Sequence, residues 1–207
     1  MSKKLIIVFE GIEGSGKSFH LNNIKKYLKK KKINFISLRE PGGSIGSERI
    51  RKLILNKKSN FNIYTDLLLY LAARSENIEK IILKNYRRKI ILIDRFTDST
   101  FAYQAYGMGI NKKFIKNIND MLLKNIKVDF TFLNTVSNKN LKKRLLKRKS
   151  LNRYDKFDIS FYNKVQKGFI KLTKMNKKKY MIIDSNDKIK HNKLKIINKI
   201  KKLLSLK

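Results

Sequence analysis

The chain has 207 residues, 51 of them Lys or Arg and 15 Asp or Glu, for a net charge of +36, with no Cys, no Trp and a single Pro. That length suits one domain carrying at most a small lid, and 42% apolar residues can fill a core, which excludes a wholly disordered polycation. The lack of Cys excludes disulfides, thiolate metal sites and Cys nucleophiles; no apolar run approaches the roughly 20 residues of a membrane span, and no secretory h-region follows Met1, so a cytoplasmic protein without membrane contact is expected.

In chain order, a first strand is expected over residues 5–10. It runs directly into Gly11-Ile12-Glu13-Gly14-Ser15-Gly16-Lys17-Ser18, a full match to G-x-x-x-x-G-K-[ST], and a helix is expected over 18–31. Strand before and helix after are the context that separates a phosphate loop from a chance glycine-rich turn. In such a loop the glycines let the backbone wrap phosphate oxygens, and successive N–H groups and the helix N-terminus point at the anion. Lys17 reaches the outer phosphates and Ser18 can ligate Mg²⁺.

A second strand is expected over 34–38, followed by a loop marked by Gly42, Gly43 and Gly46 and by helices over 47–55 and 65–85. A third strand over 89–94 is an apolar run ending in Asp94, where a carboxylate beside the phosphate loop can serve Mg²⁺ directly or through water. A helical pair spans 98–124, interrupted at Gly107 and Gly109. A fourth strand (129–135), helices over 138–148 and 160–177, a fifth strand (180–184) and a last helix (187–206) complete the chain. Alternating strands and helices make an α/β fold, a five-stranded parallel sheet flanked by helices in one doubly wound domain over 1–207. Together the two phosphate motifs point to an enzyme that uses ATP or GTP.

The charge reads differently. Of the basic residues 41 are Lys and 10 Arg, while Ile (28) and Asn (21) are abundant and Ala and Val number four each, as AT-rich codon usage produces. The excess is spread over both halves and no common nucleic-acid module is present, so a solvated Lys-rich surface is preferred to specific nucleic-acid binding. The only histidines, His20 and His191, read as surface residues.

Several further residues bear a resemblance to one family. Arg39-Glu40-Pro41-Gly42-Gly43, Ala72-Ala73-Arg74, Asp94-Arg95-Phe96 with Ser99 and Ala102-Tyr103-Gln104, and Phe161, Val165, Gly168 and Phe169 stand in the order and spacing of the thymidylate kinases, from about Leu5 to Ser185. The resemblance implies the P-loop nucleoside monophosphate kinase fold, transfer of the ATP γ-phosphoryl group to dTMP with Mg²⁺, and a homodimer. It implies that the loop Gly11 to Ser18 binds ATP, with Lys17 at its β- and γ-phosphates and Ser18 and Asp94 serving the metal. It places Arg39 and Arg95 on the acceptor phosphate, Tyr70 under thymine, Arg74, Thr100 and Gln104 on the base edges, Tyr103 near C2′ and Glu13 at the 3′-OH. A lid at about 149–157 would bring Arg148 and Arg153 to the transferring group, the bacterial arrangement. Arg51 is a further phosphate candidate.

Three departures from the pattern predict slower catalysis. Phe19 stands where a second hydroxyl residue usually meets the α-phosphate, Asn152-Arg153-Tyr154-Asp155 replaces Asp-Arg-x-Glu, and the fourth strand ends Leu133-Asn134-Thr135 where Asp is usual. Two alternatives remain open from the sequence: another nucleoside monophosphate kinase, and a decayed kinase acting as a basic nucleic-acid-binding protein.

Overall fold

The structure, a computed structural model, describes residues 4–147, 154 and 157–205. Arg148 and Arg153 lie outside the described residues. The five expected strands form within a residue of their expected bounds: β1 (Ile6–Glu10), β2 (Phe35–Arg39), β3 (Ile90–Asp94), β4 (Phe130–Thr135) and β5 (Tyr180–Asp184). They pair in parallel in the order β2-β3-β1-β4-β5. Helices cover both faces, so the central strands are buried on both sides and read as continuous apolar runs rather than alternating ones.

Alternation still divides the core. Ile7, Phe9, Leu92 and Phe132 pack with Leu21, Ile24 and Leu28 of α1 (Lys17–Lys30) and with Ile196 and Ile200 near the C-terminus. Ile6, Val8, Ile91 and Ile93 face the other way, onto Ile78, Ile82 and Ile126. Next come α2 (Ile45–Leu55) and α3 (Ile63–Asn77). Their starts are capped by Ser44, whose hydroxyl accepts from Ser47 N at 3.1 Å, and by Asn62, which accepts from Tyr64 N and Thr65 N.

The helix expected over 65–85 is not uniform. After Asn77 it widens into a π-helical segment, Ile78–Ile82, before a last turn at Leu83–Asn85. Both Ile78 and Ile82 are buried on the sheet, while Asn77 turns its side chain to the loop after β2, donating to Gly42 O at 2.7 Å and accepting from Ser44 N. The expected pair over 98–124 likewise begins as one α-turn, α4 (Thr97–Thr100), continues as a π-helical segment Phe101–Gly107, and ends in α5 (Lys112–Leu123).

Beyond β4 lie α6 (Asn138–Leu146), α7 (Ile159–Met175) and, after β5, α8 (Ile189–Ser205). Gly168 lets α7 lie directly on the π-helical segment: a Cβ there would meet the ring of Tyr106 at 2.8 Å. The ring of Tyr103 packs on the same helix, beside Phe161 and Phe169. No helix among the described residues is long and apolar enough to cross a membrane.

Candidate active site

Parallel register aligns Phe9, Asp94 and Arg39 across three neighbouring strands. The loops leaving β1, β2 and β3 therefore open together at the carboxyl edge of the sheet, where such folds bind ligands. They enclose a cavity of about 440 Å³ whose lining includes Glu13, Lys17, Ser18, Arg39, Arg51, Tyr70, Arg74, Asp94, Arg95, Thr100, Tyr103 and Gln104.

At one end is the loop from Gly11 to Ser18. Gly11, at φ +137°, admits no side chain, since a Cβ would fall 2.2 Å from Asn134 O. Lys17 is 6% exposed and donates to Ile12 O at 2.8 Å. Burial, and after it Arg95, pull its ammonium down to about 8. Ser18 Oγ donates to Asp94 Oδ2 at 2.8 Å, so the two phosphate motifs meet.

Arg95 joins the two ends. It follows β3 at φ +67°, a conformation uncommon for a side-chain-bearing residue. Its Nη1 donates to Gly11 O at 2.8 Å, its Nη2 to Glu13 Oε1 at 2.8 Å, and its guanidinium lies over the ring of Tyr103. Tyr103 donates its hydroxyl to the other oxygen of Glu13. Burial works against the charge of Glu13, but Arg95 and Lys17 outweigh it and hold the carboxyl below the usual range. The phenol of Tyr103 is raised well above its ordinary value by burial and by Glu13, so it stays a neutral donor.

Behind Arg95 stands Glu10, a residue passed over in the sequence although it ends an apolar strand as Asp94 does. It is fully buried and accepts from Phe96 N (2.7 Å), Ser99 N (3.2 Å) and Ser99 Oγ (2.6 Å), fixing the turn that carries Arg95. Burial, then Asp98, push its carboxyl up to about 8.

The far end is the wall expected to read a base. Tyr70 faces the edge of Tyr154 at 6.1 Å; Thr100, at the end of α4, and Gln104, on the π-helical segment that follows, are both buried. Arg74, 2% exposed, donates Nε to Glu40 Oε2 at 2.8 Å and Nη1 to Asn119 Oδ1 at 2.6 Å, and sits over the ring of Phe96. It lines the cavity with two of its three nitrogens already engaged. Arg39 pairs with Glu48 at 3.2 Å while 56% exposed, and Arg51 donates to Pro41 O at 2.7 Å.

Other expectations change. His20 is buried, not a surface residue: it faces the core from α1 beside Leu21, its Nδ1 has no hydrogen-bond partner among the described residues, and burial lowers its pKa. His191 is exposed as expected. Phe19 stands 49% exposed, edge-on to His20, and Asn134 is buried with both amide atoms unpartnered among the described residues. Tyr154, within the segment 149–157 expected to form a lid, is buried: its hydroxyl donates to Asp66 Oδ2 at 3.1 Å and its ring meets Tyr103 and Phe157. Arg144, absent from the sequence reading, lines the cavity and donates to Gly14 O and Ser185 O. Its signal was present, since it is an Arg in a chain whose cations are overwhelmingly Lys.

The family model for thymidylate kinase matches residues 9–196. Among relatives, the chain is 38% identical over 186 residues to a thymidylate kinase of Thermosipho africanus, covering 89% of this chain and 92% of that one. It is 36% identical over 200 residues to a thymidylate kinase of Mycoplasma capricolum, with 93% and 94% covered. A crystal structure of thymidylate kinase from Ehrlichia chaffeensis superposes with a TM-score of 0.79 at 31% identity, over 97% of this chain and 99% of that one.

Proposed function

The chain belongs to the thymidylate kinase family, and from that premise we propose which of its residues transfer the γ-phosphoryl group of ATP to dTMP, giving dTDP and ADP. The observation that carries the assignment is that one cavity holds the phosphate loop, Arg95, and Tyr70, Arg74, Thr100 and Gln104 together.

The acceptor is a phosphate monoester with a second pKa of about 6, so at neutral pH it is mostly a dianion and already nucleophilic. An oxygen of dTMP forms the new P–O bond as the bond to the bridging oxygen of ADP breaks, and no protein base is needed. What remains for the protein is alignment and charge neutralisation. Gly11 to Ser18 cradle the donor phosphates, with Lys17 leaving Ile12 O for them. Arg95 holds the acceptor phosphate, with Arg39 turning from Glu48 to join it. Arg suits this because its planar fork can grip a phosphate bidentately. Glu13 and Tyr103 face the sugar, and Tyr70, Arg74, Thr100 and Gln104 hold thymine.

Ser18 Oγ and the carboxylate of Asp94 are adjacent hard oxygen donors opening on the phosphate end, the ligand type Mg²⁺ takes alongside substrate phosphates. Mg²⁺ bound there would neutralise charge on the donor phosphates. Arg148 and Arg153, from a lid at about 149–157 of one kinase domain, close on the transferring group. Exposed apolar side chains of α3 and α5, Tyr64 against Phe114 at 6.3 Å with Leu68 and Met121 nearby in sequence, support a homodimer. A cytoplasmic setting fits these substrates.

Incubation of the purified protein with ATP, Mg²⁺ and dTMP, resolved by anion-exchange chromatography, tests the assignment. It predicts stoichiometric dTDP and ADP, abolished by Lys17→Ala in a protein that keeps its circular dichroism. Retained turnover in that variant contradicts the role of the phosphate loop.

A further inference from the structure

We infer that Arg144, together with Ser185, is a positioning residue that sets the phosphate loop for the donor nucleotide by pinning two loop carbonyls outward. The inference rests on the reading of that loop as the ATP site.

Arg144 stands on the last turns of α6 and reaches two other segments at once. Its Nη1 donates to Gly14 O at 2.7 Å and its Nη2 to Ser185 O, just after β5, at 2.8 Å. Ser185 Oγ in turn donates to Ser15 O at 2.5 Å. Two successive carbonyls of the loop are therefore held from its outer side, one by each residue.

The consequence follows from peptide geometry. In a planar trans peptide the C=O and the N–H point in opposite directions. Fixing Gly14 O toward Arg144 turns the Ser15 N–H inward, where it makes a long 3.3 Å contact with Ile12 O, the same carbonyl that accepts Lys17 Nζ. Fixing Ser15 O on Ser185 turns the Gly16 N–H inward as well. Two donors thus face the phosphate side, and two oxygens that would repel an anion face away from it.

Packing supports the same role. Gly14 sits at φ +67° directly on α6, so that a Cβ there would lie 3.4 Å from Arg144 Cβ and 3.5 Å from Leu141 Cδ1. The two Nη atoms of one planar guanidinium bridge carbonyls from separate segments; a lysine offers one nitrogen on a flexible stem.

The test compares Arg144→Met, Arg144→Lys, Ser185→Ala and the Arg144→Met/Ser185→Ala double variant of the full chain. KM is measured for ATP and dTMP separately, and the Kd of a non-hydrolysable ATP analogue by calorimetry. Arg144→Met is expected to raise the ATP KM and the analogue Kd by about tenfold, the scale of a lost charge-assisted hydrogen bond, with the dTMP KM changed less than about twofold. Arg144→Lys should recover part of the loss. Ser185→Ala should act in the same direction, and the double variant should lose less than the product of the single effects, since both act on one loop conformation. An unchanged analogue Kd in either Arg144 variant, or equal rises in both KM values, overturns the inference. If the unaltered protein fails to phosphorylate dTMP, the assignment of its acceptor fails, while analogue binding still decides the role of Arg144.

Discussion

Ser18 Oγ and Asp94 Oδ2 lie 2.8 Å apart although 76 positions separate the residues in the chain. Parallel pairing of β1 with β3 brings the end of one strand beside the loop that leaves the other, so neither residue needs an unusual conformation to meet. Replacing Asp94 by Asn keeps the shape and removes the charge. With Mg²⁺ serving this pair, kcat is expected to fall by about 100-fold, the usual scale for one preorganised electrostatic group, and half-maximal Mg²⁺ to rise in a titration at saturating ATP and dTMP. An unaltered Mg²⁺ curve removes Asp94 from the metal.

The lowered pKa of Lys17 has a definite sign. In the free protein its positive charge is complete well below pH 8 and is lost as pH rises through about 8. Bound phosphates favour the charged form and restore the higher value. kcat/KM for ATP, which reports the free enzyme, is therefore expected to fall above about pH 8, while kcat holds to higher pH. ATP binding near pH 8 should take up a proton, visible as a buffer-dependent heat in calorimetry. A kcat/KM that stays flat to pH 9.5 contradicts the electrostatics of the loop.

Arg74, proposed to hold thymine, also carries structure. Its guanidinium and Glu40 are 2% and 5% exposed, so Arg74→Ala leaves a buried carboxylate without its partner. Loss of one member of such a pair costs about 3–5 kcal/mol. Urea denaturation should show that loss directly, and the effect on dTMP must be read from the folded fraction. A variant as stable as the parent contradicts the buried pair.

Phe19 offers a gain instead of a loss. It is half exposed on the first turn of α1, where a smaller side chain meets no steric obstacle. Phe19→Thr supplies the hydroxyl that the sequence lacks beside Lys17 and Ser18, and the ATP KM is expected to fall by about tenfold, the worth of a hydrogen bond to a charged group. An ATP KM equal to or above that of the parent shows that the α-phosphate is held elsewhere.

The sheet was legible because its strands are short apolar runs alternating with longer segments of helical period, and both faces needed covering. The phosphate loop was legible because its glycine spacing is tied to one backbone path. What the sequence hid has a common cause: contacts made across the fold by residues of ordinary type. Glu10 is one acid at a strand end, and only the folded chain sets it on Phe96 N and Ser99. Arg144 is one cation on a basic helix until Gly14 and Ser185 arrive beside it. His20 was misjudged because a histidine one turn into a helix has no fixed side; here it shares the inward face with Lys17, Leu21 and Ile24. The π-helical segments escaped because their apolar spacing resembles that of an ordinary helix.

The most direct test of the whole account is the initial rate of ADP formation with saturating ATP and Mg²⁺ and each of dTMP, dUMP, CMP, AMP and GMP at equal concentration. dTMP is expected to give the highest kcat/KM, and Lys17→Ala to remove activity toward every acceptor. Rapid turnover of a different monophosphate with none of dTMP would contradict it and place the chain's activity with another nucleotide.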